Sequence, residues 1–184
     1  MTLYATVAQF KAQTGLTGTG DDVAINDILE GVTKLIDRVC NRPGGFIAST
    51  SNSYKYYVGS GGEAQRIDEC VSISEVAVKD AVSDSSYTAW TSPTTNMAGD
   101  GDWFAASGNT ATPELNRTPY TLLMIDINGS YSVFTGGRST RLRGFVTHPD
   151  DLTSKRGIPT VRVFAKWGFA TTVPDDIRDA AIMV

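Results

Sequence analysis

The sequence predicts an α+β protein in which a small helical core, drawn from both ends of the chain, carries a large inserted antiparallel β-domain. Three observations lead there. Between Asp21 and Arg42 the residues Ile25, Ile28, Leu29, Val32, Leu35, Ile36, Val39 and Cys40 recur at steps of three and four, the stripe of an amphipathic helix. From Phe46 to Val173 that period vanishes, Gly, Ser, Thr and Asn become frequent, and short alternations replace it. A helical signal returns only at Pro174. The expected division is therefore 1–45 and 173–184 for the helical core and 46–172 for the β-rich insert.

Taken in order, Thr6-Val7-Ala8-Gln9 fits a capping box, in which hydroxyl and amide satisfy two backbone donors, and Gly15 ends the short helix it starts. Asp21 or Asp22 caps the long helix and suits the positive end of its dipole. Its polar face holds Asn26, Asp27, Glu30, Thr33, Lys34, Asp37 and Arg38, and Pro43-Gly44-Gly45 forbids continuation. Gly31 is the weak point, costing about 1 kcal/mol against Ala in a helix interior.

In the insert, Tyr54, Tyr56 and Val58 share one side of a candidate strand, with Lys55 and Tyr57 on the other. Gly59-Ser60-Gly61-Gly62 supplies a turn. Around Val71 to Val78 the alternation changes phase at Ser74-Glu75, which predicts a bulge. Tyr87–Trp90 and Asp102–Ala105 read as short strands. Tyr120–Ile127 is apolar on both faces until Asp126 and reads as a central, buried strand. Asn128-Gly129 signals a hairpin into Tyr131–Phe134. Leu142–Val146 and Val161–Trp167 complete the set, the last with Val161, Val163, Ala165 and Trp167 inward and Arg162 and Lys166 on the wetter face. The final helix has Thr172, Pro174, Asp175 and Asp176 at its start and a stripe of Ile177, Ala181 and Val184. No residue closes it, which predicts either a longer chain or an end docked on a partner.

With 184 residues the chain can bury a core without staples. A net charge of −4 argues against a sequence-independent DNA binder, and two cysteines are too few for a disulfide framework. Cys40, on the apolar stripe, reads as a buried reduced thiol. No signal peptide or membrane span is evident, so a soluble protein made in a cytoplasm is expected, with no membrane partner.

No catalytic motif emerges, and the reading is of a protein that is not an enzyme and takes no cofactor or metal. His148 is the only histidine, so a histidine-based triad or a multi-histidine metal site is excluded within one chain. Gly59-Ser60-Gly61 lacks the spacing of a nucleophile elbow and reads as a turn. Asp100-Gly101-Asp102 offers two carboxylates without the rest of a calcium loop and reads as a solvated loop. Arg138, Arg141 and Arg143 form the one basic cluster, read as a solvated sheet face or intersubunit ion-pair site ahead of a DNA contact. The group Tyr54, Tyr56 and Tyr57 can stack on bases or sugars, though strand packing is the simpler reading.

Three pieces then recur in a familiar order. They are Tyr4–Phe10, the helix ending Leu29-Glu-Gly-Val-Thr-Lys-Leu-Ile-Asp-Arg-Val-Cys-Asn-Arg42, and Val161–Phe169 with its Trp-Gly followed by Val173-Pro-Asp-Asp-Ile-Arg-Asp-Ala-Ala. This arrangement resembles the head–tail connector (adaptor) proteins of tailed bacteriophages, over about a third of the chain. The long β-rich middle and the short last helix depart from that family's pattern. The resemblance implies a structural virion protein of the neck: a homo-oligomeric ring, a dodecamer, that joins the portal protein to the tail or a tail-completion protein. Such a ring lines the channel for passing double-stranded DNA without reading its sequence. The apolar, unclosed last helix for its part predicts a docking interface on Ile177, Ala180, Ala181, Ile182, Met183 and Val184, against the long helix or a portal subunit. The alternatives are another neck or tail-completion protein and, more distantly, a cell-wall glycan hydrolase working through paired carboxylates.

Overall fold

A computed structural model of the chain describes residues 2–96, 99–108, 114–115, 117–137 and 157–183. It has a mixed α+β fold and divides into two units, Met1–Ala48 with Gly168–Val184, and Ser49–Trp167. The helical unit thus extends further than the expected limits of 45 and 173. Phe46, Ile47 and Phe169 pack with its core, Ile47 forms an isolated bridge with Ala170, and the Ala48 N–H donates to the Ala170 carbonyl at 2.8 Å. Gly168 makes this junction: its φ is +138°, and a Cβ there would lie 2.3 Å from the Ala48 Cα.

The helical unit holds α1 (Val7–Thr14), α2 (Asp22–Val39) and α3 (Asp175–Met183). The capping box of α1 forms as the sequence predicts, with Gly15 left-handed at its end. Asp21 takes the N-cap position of α2 without a side-chain cap bond. The core gathers Tyr4, Ala5, Ile25, Leu29, Val32, Phe46 and Ala181, with Phe10, Ile36, Phe169 and Ile177 packed around it.

The face that α2 buries differs from the expected one. Thr33, expected on the polar side, is buried, because its hydroxyl donates to the Leu29 carbonyl at 2.8 Å and accepts from the Tyr4 N–H at 3.4 Å. With both hydrogen-bonding roles filled, burying it costs little. Ile28 and Val39 are exposed, and Cys40, expected to be a buried thiol, is exposed just past the helix end.

The second unit is one antiparallel sheet in the order β1-β7-β2-β6-β4-β5, with β3 also paired to β2. The strands are β1 (Ser53–Tyr57), β2 (Ala64–Val78), β3 (Thr88–Ala89), β4 (Trp103–Ser107), β5 (Glu114–Leu115), β6 (Tyr120–Ile125) and β7 (Val161–Trp167). β7 alternates as expected, with Val161, Val163, Ala165 and Trp167 buried. The predicted break at Ser74-Glu75 is real, since the β2–β7 register shifts between Ile73 and Glu75.

Two expectations are corrected. β6 lies inside the sheet, yet only Leu123 of it is fully buried, so it is half-covered rather than packed on both faces. The turn at Asn128-Gly129 forms, but Tyr131–Phe134 is not a strand. The Ser130 N–H goes to the Asp102 carboxylate at 2.8 Å and the Phe134 N–H to the Gly62 carbonyl at 2.9 Å, which takes these donors away from a hairpin ladder with β6. The expected strand at 142–146 lies outside the described residues.

Candidate functional site

The residues singled out by sequence fall into four places. The first is α3. Its Ala181 is buried, and Ile177 and Ile182 pack on the core of their own unit, with Ala180 half-buried beside them. Met183 remains 74% exposed, and Val184 lies outside the described residues. The stripe of α3 is therefore largely spent within its unit. What α3 offers outward is Met183 and an acidic turn. There Arg178 bonds Asp175 at 2.7 Å and Asp179 at 3.0 Å, and both partners raise its already high pKa. Asp176 makes no ion pair among the described residues.

The second place is the loop network around Asp100, Asp102 and Asp126. All three carboxylates are occupied by donors from their own chain. Asp126, fully buried, accepts from the Asn128 N–H at 2.9 Å and from the Gly99 N–H, and these bonds hold its carboxyl below the usual range. Burial alone would raise the Asp102 carboxyl, but the N–H groups of Ser130 and Thr91, at 2.8 and 2.7 Å, outweigh it and leave the value lowered. Asp100 accepts from the Thr94 hydroxyl and from the N–H and hydroxyl of Thr95, which also lowers it. Sequence reading took Asp100 and Asp102 for a solvated loop; Asp102 is instead a buried clamp joining the segments before β4 and after β6. Nearby, a cleft of about 310 Å³ lies among Ile73, Pro93, Asn96, Trp103, Ala105 and Tyr120 and holds no charged side chain.

The third place is one face of the sheet at β1. Tyr54 and Tyr56 are exposed there, and Tyr54 packs on Phe164 at 4.5 Å between ring centroids. The Arg162 guanidinium lies over both Tyr54 and Tyr87 at 4.8 and 5.2 Å while bonding Glu75 at 2.6 Å. Tyr57 faces the other way, against Trp167, and burial pushes its phenol well above the ordinary value. The three tyrosines therefore do not act together. Arg162, Phe164 and Tyr87 complete the exposed face, and the alternation of β7 already put the first two on one side. Arg162 is paired with Glu75, while Lys166 shares its side of β7 and the Lys79 ammonium lies over the Tyr87 ring at 5.2 Å.

The fourth place comprises the two cysteines and the basic residues. Cys70 is fully buried and burial pushes its thiol up to about 12, which makes it inert, while Cys40 is exposed. Arg138, Arg141, Arg143 and His148 lie outside the described residues. Among the described residues no group of three His, Cys, Asp or Glu side chains is arranged to hold a metal. No helix there is long and apolar enough to cross a membrane.

No family model, curated protein or solved structure matches the chain. What the described residues define is thus a class by architecture alone: a three-helix unit with a seven-stranded antiparallel sheet inserted between its second and third helices.

Proposed function

We propose that this protein is a head–tail connector of a tailed bacteriophage, a ring of copies between the portal protein and the tail with the DNA channel at its centre. One observation carries the reading. Of the pieces of sequence that resemble connectors, Tyr4–Phe10, Leu29–Arg42 and the part of the last piece from Gly168 to Ala181 are far apart in the chain yet belong to one helical unit, while Val161–Trp167 of that last piece is strand β7 of the inserted sheet. The inserted sheet explains why the family-like pieces are separated by more than a hundred residues. The net charge of −4 suits a channel wall, since repelled phosphates do not stick during ejection.

Electron microscopy of particles carrying a tag on this protein tests the proposal. Tag density in a ring between head and tail is the expected result, with tailless heads accumulating when the gene is disrupted. Density at the far end of the tail or on the capsid shell would reject it. A cleared zone on a host cell-wall gel would instead favour the glycan-hydrolase alternative.

A further inference from the structure

The helix α2 carries more apolar surface than its own unit covers. Ile25, Ile28, Val32, Leu35 and Val39 follow steps of three, four, three and four, the spacing by which one helix receives another. Ile25 and Val32 lie at the covered edge of this row, whereas Ile28 is 58% and Val39 75% exposed, with Leu35 half-buried between them. Beside the row sits Gly31. Among the described residues a Cβ built on Gly31 meets nothing within 4 Å, so no contact they make calls for a glycine there. A glycine in mid-helix sacrifices stability unless another backbone or side chain needs the space.

Charge points to the occupant. On the same flank Lys34 and Arg38 are exposed and make no ion pair among the described residues. The α3 helix carries three carboxylates against one guanidinium, leaves Asp176 without an ion pair among the described residues and ends in exposed Met183. Laid antiparallel with Asp176 level with Arg38, equal rise along both helices brings Met183 level with Gly31. A long, flexible thioether then meets the position beside the row that lacks a side chain.

We infer that the exposed Ile28–Leu35–Val39 row of α2 receives the outer face of α3 from a second copy of this chain, with Met183 over Gly31 and Asp176 against Arg38. The contact uses different surfaces on the two copies, so it propagates head to tail and closes into a ring when the rotation per copy allows it. It deepens the connector reading, on which it rests, by naming the surfaces through which neighbouring copies meet.

The test is the mass distribution of the purified full chain across a concentration series, by sedimentation velocity. Wild type is expected to assemble. Gly31→Leu, whose Cβ meets nothing within 4 Å among the described residues, is expected to keep the helical circular-dichroism signal and lose assembly. Arg38→Glu should weaken assembly, and adding Asp176→Arg should restore it. Assembly of Gly31→Leu equal to wild type would overturn the inference, as would a wild type that stays monomeric throughout. Rescue of Arg38→Glu by Asp27→Arg in place of Asp176→Arg would seat a second α2 on the row and overturn the choice of α3. None of these results moves the particle location seen by microscopy, so the interface and the connector reading fail separately.

Discussion

Replacing Tyr4 by Phe isolates one hydroxyl that joins three parts of the helical unit. The Tyr4 hydroxyl donates to the Asp37 carboxylate on α2 and accepts from the Phe46 N–H at 3.0 Å. The ring itself packs edge-on against Phe46 at 5.8 Å and stays in the variant. Losing a hydrogen bond to a charged group costs about 1.5–3 kcal/mol, and leaving the buried Phe46 N–H unpaired costs about 1–3 kcal/mol. Asp37 is only half-buried and regains water, so the net loss should be about 2–4 kcal/mol. All described helices lie in this unit and all three tryptophans in the sheet unit. Far-ultraviolet circular dichroism therefore follows the helical unit while tryptophan fluorescence follows the other. With a urea slope of about 1.5 kcal/mol/M, the helical midpoint should fall by roughly 1–3 M. A second arm uses pH. Burial, then the Asp37 carboxylate, pushes the Tyr4 phenol up to about 12. A folded value above the unfolded one means the hydroxyl's contribution is whole below about pH 10 and is lost as pH rises through the folded value. The gap between wild type and Tyr4→Phe should therefore narrow as pH climbs toward 12. A helical midpoint unchanged by the substitution, or a gap that does not narrow, would refute the reasoning.

Three further outcomes are expected. Ile177→Asp should destabilise the helical unit by about 2–4 kcal/mol, since it forfeits packing on the core and sets a carboxylate there; an unchanged helical midpoint would mean that Ile177 contributes nothing to its own unit. The lowered carboxyls of Asp102 and Asp126 lend stability above the ordinary carboxylate range, and that stability is lost as pH falls through their depressed values. The fluorescence-detected urea midpoint should thus drop as pH falls below about 4, less steeply in Asp126→Asn, and equal slopes would count against the clamp. A thiol reagent should modify Cys40 at once and Cys70 only on unfolding; two fast thiols would contradict the burial of Cys70.

The inference about α2 changes what its pattern means. A stripe of eight apolar residues reads as one wide core face, yet the unit uses an arc centred on Leu29 and Thr33 and leaves Ile28 and Val39 outside. The same residues that announce the helix therefore contain both a core face and a spare one. Periodicity reports that a face is apolar and is silent on what covers it. In α3 the stripe was legible, but whether Ile177 and Ala181 serve their own unit or a partner depended on where Leu29 and Phe46 stand.

The sequence by itself determined what short-range physics controls. The Thr6–Gln9 box and Gly15 bound α1, the three-and-four spacing set α2, strict alternation set β7, and a phase change marked the bulge at Ser74-Glu75. These depend on hydrogen bonds and side-chain directions within a few residues. The tertiary structure decided what depends on distant partners. Arg66, Asp68 and Glu69 hide the first half of β2, a fifteen-residue strand that holds β6 and β7 together. Thr33 became a core residue because Tyr4 came to it, and Asp102 became a clamp because Thr91 and Ser130 met across it. A buried polar group is stable only where its partner arrives from elsewhere in the chain, and local pattern carries no record of that arrival.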